Sequence, residues 1–132
     1  MLALLLAPLF ASLGPAPEPD ARLFVLAPGP ATPGTSVELS VTIREAPEPG
    51  TPIELWLSSD DMPITDNRFD VRDVVDPHAA QPRLRARATA PAQPGSYVVN
   101  GELRWVTCTG PWCRTQRADV AWTLEVAVPT PP

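Results

Sequence analysis

Residues 95–126 read GSYVVNGELRWVTCTGPWCRTQRADVAWTLEV, and this stretch decides the fold. It holds both cysteines of the chain and three of its four tryptophans. From Tyr97 the odd positions are Tyr97, Val99, Gly101, Leu103 and Trp105, with Asn100, Glu102 and Arg104 between them. Alternation with a period of two marks a half-buried strand. After a break at Thr109–Trp112 the even positions take over, with Ala118, Val120, Trp122, Leu124 and Val126. Arg117, Asp119, Thr123 and Glu125 fill the other face. Two such runs around a short turn containing Gly110 and Pro111 predict a β-hairpin.

The same alternation predicts the register. With Cys108 opposite Cys113, Leu103 meets Ala118, Gly101 meets Val120, Val99 meets Trp122 and Tyr97 meets Leu124. A slip of one residue would set apolar side chains against charged ones. The two cysteines then fall on the face opposite the apolar set, beside Arg104, Val106 and Thr115, at the hairpin tip.

Working outward, turn signals recur at spacings typical of an all-β sandwich. Arg22–Ala27 predicts a first strand, followed by the turn-rich Pro28–Gly34. Val37, Leu39, Val41 and Ile43 alternate with polar residues in a second, and Ile53, Leu55 and Leu57 in a third. Phe69–Val75 is expected as a fourth strand and Leu84–Ala88 as a fifth, before the Pro91–Gly95 corner. No segment sustains a 3.6-residue apolar period. About seven short strands with proline-glycine corners predict an immunoglobulin-like antiparallel β-sandwich. Tyr97, just after Pro94-Gly95, resembles the corner tyrosine of that architecture. The strand centred on Leu39 has no cysteine, so the inter-sheet disulfide of antibody domains cannot form.

At 132 residues the chain has room for one domain. Residues 1–13, MLALLLAPLFASL, are too few to span a bilayer and read as the apolar region of a secretory signal, although no basic residue precedes them. The expected organisation is a signal peptide over 1–14, a proline-rich linker over 15–21, the sandwich over 22–128 and a disordered tail over 129–132. Export implies a periplasmic or secreted location, where two cysteines are disulfide-bonded by default. A net charge of −5 argues against nucleic-acid or anionic-membrane binding. The alternating Arg83, Arg85 and Arg87 read as the solvent face of a strand.

The chemistry-bearing constellation is Trp105-Val106-Thr107-Cys108, Thr109-Gly110-Pro111-Trp112, then Cys113-Arg114-Thr115-Gln116. Bonding across it closes a very short loop, worth roughly 2 kcal/mol by chain entropy. Exposure at a tip raises the reduction potential of a disulfide, and nearby arginines favour a thiolate. Cys108 and Cys113 are therefore the candidate redox pair, with Trp105, Trp112 and Arg114 in support.

This hairpin resembles that of the periplasmic N-terminal domain of the thiol:disulfide interchange protein family. The resemblance rests on Gly95-Ser96-Tyr97, Trp105, Cys108 and Cys113, and covers about the last third of the chain. Where the family follows the second cysteine with prolines, this chain has Arg114-Thr115-Gln116. The resemblance implies an immunoglobulin-like fold and a cysteine pair that accepts electrons from a membrane reductase and passes them to extracytoplasmic, thioredoxin-like partners.

Other chemistries are thinly supplied. Asp60, Asp61, Asp66, Asp70, Asp73 and Asp76 offer oxygen ligands, but the D-x-D-x-D-G calcium loop is absent. His78 is the only histidine and Met62 the only methionine after Met1, too few for a soft-metal site. His78 sits in a turn without a nucleophile motif. Neither a metal nor a cofactor is expected. Trp56 and Trp112, at outer or tip positions, are candidates for a protein-binding surface. Two functional classes stay open: a thiol–disulfide exchange module, or a non-catalytic binding or structural module whose disulfide pins the hairpin.

Overall fold

The computed structural model describes residues 20–128. The expected signal peptide and tail lie outside the described residues, as does most of the expected linker. The elements run β1 (Leu23–Leu26), β2 (Ser36–Ile43), β3 (Glu54–Ser58), β4 (Arg68–Phe69), a 3-10 helix (Val71–Asp73), β5 (Arg83–Thr89), β6 (Gly95–Thr109) and β7 (Trp112–Val126). They form two antiparallel sheets, one ordered β1-β2-β5 and the other β4-β3-β6-β7. This is the strand arrangement of an immunoglobulin-like sandwich, with β3, β6 and β7 as the C, F and G strands and β4 added at the edge.

The sandwich follows from the alternation. Leu39, Val41 and Ile43 of β2, Leu55 and Leu57 of β3, and Leu103, Val120, Trp122 and Leu124 of the hairpin are all buried in one core. Trp122 ties the sheets together, its indole N–H donating to the carbonyl of Ser40 at 3.1 Å. Glu38 and Asp119 are exposed, while Glu54 and Glu102 are only partly exposed because arginines lie over them. The Tyr97 hydroxyl donates to the carbonyl of Gln93 at 2.7 Å, which fixes the corner leading into β6.

The segment expected as a fourth strand is a correction. Only Arg68–Phe69 is extended, and the chain then turns into the 3-10 helix. Asp70 and Asp73 form a reciprocal capping box, each side chain accepting from the other's end of the turn. Those bonds satisfy the turn's free N–H groups, so a local helical turn outcompetes strand pairing. The last residues of the expected linker also join the sandwich. Asp20 accepts from Arg22 in two side-chain hydrogen bonds, and its carbonyl accepts from the Leu23 N–H.

Candidate functional site

The hairpin has the predicted register throughout, from Gly95 opposite Val126 to Thr109 opposite Trp112. Gly110 and Pro111 alone form the loop. Gly110 has φ +59°, and the following proline is restricted to negative φ, the combination a type II′ turn requires. β3 pairs with β6 only as far as Arg104, so the hairpin continues about 17 Å beyond the four-stranded sheet.

Cys108 and Cys113 are directly opposed, 4.0 Å apart at Cα, and are disulfide-bonded. The bond lies off the core: Cys108 is half-buried and Cys113 exposed. Beside Cys108, the loop 46–53 and the turn 77–80 enclose a groove of about 740 Å³. Cys113 stands on β7, the outermost strand of its sheet.

The supporting residues divide between locations. Trp105 belongs to the inward set and is fully buried, on the opposite face of β6 from Cys108. Its indole N–H donates to Glu45 Oε1 at 2.8 Å, and the Arg22 guanidinium lies 5.0 Å from its ring centroid. Arg22 also donates to Gln116 Oε1 and to the carbonyl of Arg117, and Gln116 in turn donates to Thr107 Oγ1. On the other side, the Glu48 N–H donates to the carbonyl of Val106. The base of the projecting hairpin is thus braced by contacts that do not involve the sulfurs.

Trp112, in contrast, is 80% exposed at the tip. Arg114 is exposed and paired with Thr107, so alternation puts it on the face away from the cysteines. The arginines on the cysteine face are Arg104 and Arg117, and both engage Glu102. The Arg104 hydrogen bond, with the Arg117 charge added, holds the Glu102 carboxyl below its ordinary range.

No family model matches this chain, and no curated protein or solved structure matches it either.

The acidic stretch does not converge. Asp61 accepts from the Val98 N–H, Asp70 and Asp73 cap the 3-10 helix, and Asp76 accepts from the His78 N–H. Among the described residues no group of three or more His, Cys, Asp or Glu is placed to hold a metal ion. No helix among them is long and apolar enough to cross a membrane. Sequence reasoning missed Arg22, Glu45 and Gln116. Arg22 and Gln116 lie 94 positions apart, and a single sequence carries no sign of that pairing.

Proposed function

We propose that the protein is an exported thiol–disulfide exchange module, with Cys108 and Cys113 as its reacting pair. The observation that carries this reading is the position of the disulfide: outside the core, on a hairpin whose base is braced independently by Trp105, Arg22 and Glu45. Such a pair can cycle between dithiol and disulfide while the sandwich stays folded. A partner thiolate attacks one sulfur, forming an intermolecular disulfide as the other sulfur leaves as a thiolate. The partner's second thiolate then attacks the partner's own sulfur in that bond and releases the cysteine of this chain as a thiolate, so the partner becomes oxidised and this pair reduced. The resemblance points to a membrane thiol reductase or a thioredoxin-like protein as partner, in the periplasm or outside the cell.

Equilibration in glutathione buffers, followed by thiol alkylation, tests this. The pair is expected to titrate at a potential above the roughly −300 mV below which structural disulfides fall. Cys108→Ala and Cys113→Ala, tested separately, should show one variant that traps a mixed disulfide with an extracytoplasmic protein. A disulfide that stays oxidised at every buffer ratio would leave a second reading, favoured by the exposure of Trp112. In that reading the bond stiffens a recognition finger with a tryptophan at its tip.

A further inference from the structure

Away from the disulfide, the outer face of the β4-β3-β6-β7 sheet carries one tryptophan among side chains that are mostly polar, with Val98 also exposed. Trp56 on β3 is 38% exposed, and the guanidinium of Arg68 on β4 lies 4.9 Å from its ring centroid. Arg68 is itself fixed by Glu54 at 3.2 Å, so the indole is held in place before any ligand arrives. Trp56 borders a depression of about 570 Å³ that extends over β6 and β7, with Ser58, Asn100, Glu102 and Asp119 around it. That is within the size range of small-ligand sites. In the register, Trp56, Glu102 and Asp119 form one row across three strands, about 10 Å from first to last. Ser58, Asn100 and Ala121 form the next row, all small or short.

The charges select the ligand. Around the Trp56 row, Arg68, Arg104 and Arg117 stand against Glu54, Glu102 and Asp119, so the formal charge there is balanced, and Glu125 of the same face lies further along β7 opposite Ser96. Both Arg104 and Arg117 are engaged with Glu102. Neither a cation nor an anion gains from such a surface. The exposed Asn100 and Asp119 make no side-chain hydrogen bond or ion pair to another described residue, which leaves an amide and a carboxylate for new hydrogen bonds. A fixed indole wall beside free polar groups in a neutral setting suits a ligand with an apolar C–H face and a rim of hydroxyls. We infer that this face is a saccharide-binding site for neutral pyranosides with equatorial substituents, their axial C–H face against Trp56 and their hydroxyls on Asn100 and Asp119.

The test is an NMR titration of the intact protein with cellohexaose and with chitohexaose. The expected result is saturable shifts of the Trp56 indole N–H and of the Asn100 and Asp119 amides with at least one of the two sugars. Trp56→Ala should weaken binding about tenfold, and Asn100→Ala or Asp119→Asn about threefold. Raising NaCl from about 0.05 to 0.5 M should leave the affinity within about twofold, because no net charge is neutralised. Asn100 and Asp119 are exposed, so their variants carry the test even if Trp56→Ala folds poorly. The proposal is overturned if neither sugar moves these signals at about 10 mM, or if a folded Trp56→Ala variant binds as tightly as the parent protein. It is equally overturned if the shifts appear without sugar as protein concentration rises, which would make the face a contact between copies of the chain.

Discussion

Gly101 occupies the tightest point of the core. A Cβ there would come within 2.8 Å of Val120 Cγ2, 2.9 Å of Leu55 Cδ1 and 3.0 Å of Trp122 Cζ3. Those neighbours are packed side chains from β3 and β7, with nowhere to move. Gly101→Ala is expected to destabilise the domain by about 1–3 kcal/mol, read from the urea midpoint, without loss of the fold. Ser40 should behave oppositely. It is buried on the central strand β2, and its hydroxyl has no hydrogen-bond partner among the described residues. Replacing it with alanine removes an uncompensated polar group, so Ser40→Ala should raise stability by up to about 1 kcal/mol in the same measurement. The faces of Gly101 and Trp105 were legible as odd positions in a two-residue period. Arg114 reads as a neighbour of the sulfurs because it follows Cys113 in sequence, although the same period turns it to the other face. The orphaned Ser40 hydroxyl was not legible, because Ser40 sits on the polar side of its strand's alternation and only the assembled sheet covers it.

The hairpin is the element that carries the candidate chemistry, and its two halves are held by different means. Near the tip there is the disulfide; at the base there are Trp105, Arg22, Glu45 and Gln116. Loop closure over so short a span contributes roughly 2 kcal/mol, against a typical domain stability of about 5–15 kcal/mol. Reduction is therefore expected to lower the melting temperature by several degrees while leaving a single cooperative transition. Loss of the transition on reduction would contradict this. Trp105→Phe removes the N–H donor to the half-buried Glu45 and should cost about 1 kcal/mol, the net worth of one hydrogen bond whose acceptor water can still reach. The register of this element was legible because burial on one face penalises every slip by a residue. The fourth strand was misread because Phe69, Val71 and Val75 mimic alternation, while Asp70 and Asp73, at capping-box spacing, carried the contrary signal. The bracing network was illegible, since it joins β1, the loop after β2 and β7 across long stretches of chain.

At the scale of the whole molecule, three carboxylates are held below their ordinary range by arginine hydrogen bonds: Asp20 by Arg22, Asp70 by Arg72 and Glu102 by Arg104. A depressed native pKa contributes stability that is present above the unfolded-state value and is lost as pH falls through the native one. Melting temperature should thus be flat near neutrality and fall below about pH 4, where unfolded carboxyls begin to take up protons. Asp20→Asn should show a shallower acid decline, because it removes the group that anchors Arg22 at the junction of β1 and β7. Acid curves that superimpose for the two proteins would refute that assignment. The two-sheet architecture was legible in the chain's alternating strands, and the pairing of Leu23–Leu26 with β2 completes it. Most other contacts are distant in sequence: β3 meets β6 across about a third of the chain's length, whereas β6 and β7 meet around a two-residue loop. That difference sets an order of events in time. The hairpin can zip from its turn before any other element has found its place, since its closure entropy is small. Pulse-labelled amide exchange during refolding should accordingly protect β6 and β7 before β2 and β5, and the cysteines, one rung from the turn, would meet while the rest of the chain is still searching.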